Sequence, residues 1–201
     1  MGAATGLRGG RTDRPETCST VGMATAGLSP VLIRAEEVQD ADSVAAVHRA
    51  AFGDHGEQVA AVADGLRPGR PVSLVAEVDG AVVGHVMVGR NLLDAPPRLV
   101  DVGVLSPLGV LPEFQRRGVG TALAGAAVRA ATYPAVFLEG DPAYYSRLGF
   151  RPGGDLGFRR PSLRIPPAAF QVVLLEGYEH WMTGTLVYDE VFWRLDAVGL
   201  R

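Results

Sequence analysis

The stretch Pro107-Leu108-Gly109-Val110-Leu111-Pro112-Glu113-Phe114-Gln115-Arg116-Arg117-Gly118-Val119-Gly120-Thr121 decides the architecture. An apolar, strand-like run passes through a short arginine-bearing loop straight into an alanine-rich segment of helical character. A helix N-terminus carries unsatisfied N–H groups and about half a unit of positive charge, which suits a phosphate. Gly118 and Gly120 let the backbone come close to such a group, and Arg116 and Arg117 add charge at its rim. The loop has neither the Lys-Ser/Thr ending of a P-loop nor the spacing of a dinucleotide fold.

Upstream, Leu99 to Val110 is apolar but interrupted by glycines and Pro107, so a bent or bulged strand is expected. Before it, two valine-rich runs flank Asp79-Gly80, among the strongest short hairpin signals. Helical spacing of Val44, Val47 and Ala51 predicts a helix over 40–51, with Asp40 or Asp42 as cap and Gly53 as stop. A second helix fits Glu57 to Leu66, and Val31 opens the first strand. Downstream, the spacing predicts a helix from about Thr121 to Ala131 and a short strand from Ala135 to Leu138. A further helix starts at Asp141-Pro142 and is ended by Gly149. A strand near Phe170 to Leu175 follows, then a last extended stretch around Thr185 to Trp193.

Residues 1–30 lack periodicity and read as a disordered tail, with Met23 an alternative start; residues 31–201 form one domain. The 201 residues are 47% hydrophobic and 20% charged, enough for a single core. All 19 basic residues are arginine, and the net charge of −3 argues against a nucleic-acid partner. No apolar run approaches the ~20 residues needed to span a bilayer, so a cytoplasmic protein without a membrane partner is expected. Cys18 alone makes no disulfide framework or multi-cysteine zinc site, and His48, His55, His85 and His180 show no ligand spacing; no metal is expected.

Gln115 to Gly120 resembles the Gln/Arg-x-x-Gly-x-Gly signature of the GNAT N-acetyltransferase superfamily. Asp141-Pro142-Ala143-Tyr144-Tyr145-Ser146-Arg147-Leu148-Gly149-Phe150 resembles that family's second landmark. The resemblance covers about residues 31–195 and is similar to a bacterial branch of small acetyltransferases. It implies an α+β GNAT fold: a mixed, mostly antiparallel twisted sheet of about seven strands with helices on both faces, splayed between strands four and five. It also implies acetyl-CoA as co-substrate, with Leu108, Gly109, Val110, Gln115, Arg116, Arg117, Gly118, Val119, Gly120, Thr121, Asp141, Tyr144 and Tyr145 along its path.

The implied reaction is direct acetyl transfer in a ternary complex to a primary amine of a small molecule or protein. Tyr145 would give the proton to the departing thiolate, and a backbone N–H at Gly109 or Val110 would help the carbonyl. For the base, Glu139, Asp141, Glu77 and His85 stay open. His55, Glu57, Tyr178, Trp181 and Trp193 are candidate acceptor linings, and a homodimer is a candidate assembly. A non-catalytic acyl-CoA-binding or regulatory module is the alternative.

Overall fold

Asp79 and Gly80 close a two-residue turn in which both residues have positive φ, +51° and +79°. That geometry matches the twist of the flanking strands. The turn joins β2 (Val72–Val78) to β3 (Ala81–Asp94), the first ladder of the sheet in this computed structural model, which describes residues 30–199. The expected tail (apart from Pro30), Met23 and Cys18 lie outside the described residues.

Preceding the hairpin are β1 (Leu32–Ala35), α1 (Ala41–Phe52) and α2 (Gly56–Leu66). Asp40 does not cap α1. Its carboxylate accepts the Glu37 N–H (2.8 Å) and pairs with Arg34 (2.6 Å), closing a short turn ahead of the helix. After the hairpin come β4 (Leu99–Val110), α3 (Val119–Ala130), β5 (Ala135–Glu139) and α4 (Pro142–Tyr145). The chain ends through β6 (Arg151–Pro152), β7 (Phe158–Arg159), β8 (Phe170–Leu174), β9 (Gly184–Val187) and α5 (Glu190–Arg194).

The sheet runs β1-β2-β3-β4-β5-β8-β6, with β9 pairing both β3 and β7. It is antiparallel except at β4–β5 and β7–β9. Seven of its nine strands are those expected; β6 and β7 are two-residue pairings too short for any periodicity. The extended stretch expected over 185–193 is corrected. It is strand only to Val187, after which the Asp189 carboxylate accepts the Val191 N–H (2.9 Å) and starts α5. Helices cover both faces. Val119, Leu123, Ala124 and Ala127 of α3 pack on Val86, Val88 and Leu105, while Val62, Ala63 and Leu66 of α2 and Phe192 of α5 pack with Met87, Val104 and Phe137 on the other.

Two irregularities in β4 matter most. Its register with β3 slips between Val86↔Leu108 and Val88↔Leu105, so one extra residue bulges out at Ser106-Pro107. Its pairing with β5 consists of Gly103↔Val136 and Val104↔Phe137 alone. Beyond Val104 the two central strands part while β4 runs on for six residues.

Candidate active site

The parting of β4 from β5 opens two recesses that meet at Leu108. The first is a cradle lined by Leu108, Val110, Gln115, Arg116, Gly118, Gly120, Thr121, Tyr144 and Arg147. Gly118 takes φ +86° as the residue before α3, and Arg116 takes φ +58° in the loop. No side chain caps α3, which leaves its first N–H groups without an acceptor, and Gly118, Gly120 and Thr121 of that first turn line the cradle. The Gln115 amide donates to the Val110 carbonyl (3.0 Å), which braces the loop against the end of β4.

Gly120 is required by proximity. A Cβ there would lie 2.8 Å from the Tyr144 hydroxyl, which Thr121 also approaches at 3.4 Å. Gly120→Ala should therefore split two properties. The methyl must push the Tyr144 hydroxyl aside, which offsets a helix-propensity gain of up to about 1 kcal/mol, so the melting temperature of the free protein should change little. Affinity for a ligand phosphate in the cradle should fall on the order of tenfold, measured by calorimetry.

Arg117 lies over the Phe114 ring (5.8 Å) and does not line the cradle; its second cation is Arg147. Arg147 was missed because the loop pattern draws attention only to arginines adjoining Gly118. Val119 is 3% exposed and packs in the core, so only its backbone can serve a ligand. Asp141 caps α4 through the Ala143 N–H (2.9 Å), outside the cradle.

The second recess is a cleft of about 170 Å³ lined by Phe52, Val59, Val62, residues 104–108, Glu139, Tyr145, Tyr188, Phe192 and Ala197. Tyr145 enters it from α4, its ring edge-on to Tyr144 (4.8 Å) and to Phe150 (5.8 Å). Burial, and to a smaller extent Tyr144, pushes the Tyr145 hydroxyl well above the ordinary phenol range, so it keeps its proton.

Of the four candidate bases, the cleft takes only Glu139. Glu77 pairs with Arg34 (2.9 Å) on the outer hairpin, and His85 is fully buried. Glu139 Oε1 accepts from the Tyr188 hydroxyl (2.7 Å) and Oε2 from the Gly199 N–H (3.1 Å). Burial raises its pKa more than these two bonds lower it.

Strand register also decides which amides face the cleft. Leu111 N–H donates to Val83 O (2.9 Å), making that a hydrogen-bonded pair. Alternation along the ladder makes His85↔Gly109 the next such pair, and Val86↔Leu108 and Gly84↔Val110 non-bonded. The Gly109 N–H is thus turned to β3, against the expectation that it helps the carbonyl. The Leu108 and Val110 N–H groups point to the open side. Gly109 is needed for another reason: a Cβ there would meet His48 Nδ1 at 2.7 Å.

None of the expected acceptor linings reaches the cleft. Glu57 pairs with Arg49 (2.7 Å), His55 and Trp193 are exposed, Trp181 lies under Arg98, and Tyr178 packs on Phe158. The carboxy-terminal contribution comes instead from Tyr188, Phe192 and Ala197. Among the described residues no cluster of three His, Cys, Asp or Glu is placed to hold a metal ion, and no helix is long and apolar enough to cross a membrane.

A family model described as an acetyltransferase (GNAT) domain matches residues 70–152. The chain is 32% identical over 128 residues to the uncharacterized N-acetyltransferase YjhQ of Escherichia coli, a span of 61% of this chain and 71% of that protein. The crystal structure of the GNAT family N-acetyltransferase YhbS from Escherichia coli in complex with CoA superposes with a TM-score of 0.72. It is 28% identical and covers 86% of this chain and 96% of its own. A GNAT family acetyltransferase from Brucella melitensis in complex with acetyl-CoA superposes with a TM-score of 0.64, at 29% identity, covering 81% and 97%.

Proposed function

Since the chain belongs to the GNAT family of N-acetyltransferases, we propose that it holds acetyl-CoA across the two recesses and passes the acetyl group directly to a primary amine. The observation that carries this reading is the meeting of cradle and cleft at Leu108, on the stretch of β4 that has lost its β5 partner. The cradle supplies the features a pyrophosphate calls for: free N–H groups at the start of α3, glycines at 118 and 120, and the guanidinium groups of Arg116 and Arg147.

In the cleft each protein group has a task. The N–H of Leu108 or Val110 lies where it can bond the thioester oxygen as negative charge grows on it. Glu139, a carboxylate of raised pKa, takes a proton from the incoming ammonium. As the N–C bond forms and the C–S bond breaks, Tyr145 gives its proton to the sulfur. Of the two protons the ammonium sheds, one ends on sulfur by way of Tyr145 and the other leaves through Glu139 to solvent.

The test is the melting temperature of the full chain with and without acetyl-CoA, with ATP and NADPH as controls. At 100 times its dissociation constant acetyl-CoA should add about 2.7 kcal/mol, roughly 5–10 °C for a domain of this size. A shift specific to acetyl-CoA supports the reading; equal shifts with all three, or none, would sink it.

A further inference from the structure

The cleft carries polar groups along β4 and at Glu139, Tyr145 and Tyr188, but its far wall is formed by apolar side chains. Phe52 from α1, Val59 and Val62 from α2, and Phe192 and Ala197 from the carboxy-terminal segment close it on the side away from the cradle. Glu139 is the one charged group that lines it. Its two oxygens already accept from Tyr188 and Gly199, which fixes the carboxylate in place and leaves a lone pair on each oxygen for one more donor. The volume, about 170 Å³, must also take the acetyl thioester, so only a small acceptor body fits beside it.

Resting on the acetyl-transfer reading, we propose that the acceptor is a compact monoamine: one primary amino group, placed at Glu139, on a small aromatic or branched aliphatic body. Charge and the apolar wall both point this way. A polyamine would bring a second ammonium against Phe52, Val59, Val62 and Phe192, where no carboxylate meets it, and an unpaired buried charge is costly. A peptide amine would carry backbone N–H and C=O groups past the same side chains. Those side chains offer no partners, and each buried group left unbonded against them is penalised. A compact apolar body needs no partner beyond the wall itself.

The experiment uses the full chain and three probes: 2-phenylethylamine, spermidine and an unmodified tripeptide. Release of the CoA thiol gives kcat/KM for each, and the melting temperature with each amine alone gives binding without the thioester. The expected result is a preference for 2-phenylethylamine on the order of 10–100-fold over both others. Glu139→Gln should weaken binding of that amine and lower kcat together, with the acetyl-CoA melting shift retained. Phe52→Ala, at a side chain 37% exposed and so tolerant of truncation, should move the preference toward bulkier rings.

Preference for spermidine or the tripeptide would overturn the proposal while leaving acetyl transfer standing. So would an acetyl-CoA melting shift with no turnover and no binding of the phenyl amine. If acetyl-CoA gave no shift but 2-phenylethylamine alone did, the amine site would stand and the transfer reading would fall.

Discussion

Tyr145→Phe should lower turnover by on the order of 10²–10⁴-fold, about 3–5 kcal/mol of barrier, and leave acetyl-CoA affinity nearly unchanged. The substitution removes one oxygen from a ring whose packing does not use it. The ring is held by Tyr144, Phe150 and the close approach of Gly140, where a Cβ would stand 2.3 Å from Tyr145 Cε2. Phenylalanine fills the same space, so folding and the cradle survive. What is lost is the proton. Burial raises the Tyr145 pKa, so the wild-type rate should show no limb from Tyr145 ionising near neutrality. Stopped-flow thiol release alongside calorimetric acetyl-CoA binding separates the two quantities. Unchanged turnover would remove Tyr145 from the mechanism and favour a module that binds the thioester without using it.

The second large effect is on stability, and it comes from a chain of buried groups behind β4. Arg67 pairs with Glu36 (2.8 Å), Glu36 accepts from the Ser73 hydroxyl, and Ser73 Oγ meets His85 Nε2 at 2.9 Å. His85 Nδ1 in turn lies 2.7 Å from His48 Nε2, and both rings are fully buried. With the Ser73 proton committed to Glu36, His85 Nε2 must donate and its Nδ1 must accept. His48 therefore donates through Nε2, and its buried Nδ1, which has no partner, is a bare lone pair facing Gly109. Burial above all, with the positive charge of Arg67 adding to it, lowers the His48 pKa from 6.5 to about 3. Burial alone would raise Glu36, but hydrogen bonds from His85, Ser73 and Arg67 outweigh it and hold that carboxyl at about 2.

Both folded-state pKa values lie below the unfolded ones, so in acid the unfolded chain binds more protons. Stability should fall from about pH 6.5 downward through His48, and from about pH 4.5 through Glu36 as well. The His48 share alone is about 3 kcal/mol by pH 4, a large part of a typical domain's ~5–15 kcal/mol. Urea midpoints between pH 7 and 4 measure it. His48→Phe should be less stable at pH 7, because His85 Nδ1 loses its donor, yet flatter between pH 6.5 and 4.5. An equal slope in both proteins would assign the acid lability elsewhere.

The fold was legible wherever one short signal meets one local geometry. Asp79-Gly80 demanded its turn, Gly118 its left-handed backbone before α3, and Asp141-Pro142 the start of α4. The site was legible in outline, since the cradle glycines and Tyr145 stand in contiguous motifs. What escaped depends on parity or distance. Whether Gly109 or its neighbours face the cleft turns on one extra residue at Ser106-Pro107, and a bulge inverts every amide beyond it. Glu139 differs from Glu77 only in which strand ends beside the gap. The inward aromatics Tyr188 and Phe192, and not Trp181 or Trp193, are chosen by where Asp189 starts a helix of five residues, too short to show a period.

The two cations of the cradle are both guanidinium groups, as is every other basic side chain of the sequence. A guanidinium stays protonated at any pH an enzyme meets and has no lone pair to offer an activated acyl group, whereas a lysine amine does. Under the proposed function, a thioester held here would meet no side-chain amine to acylate. The proposed phosphate grip would keep its charge through every turnover, with no lysine in the sequence to compete with the acceptor.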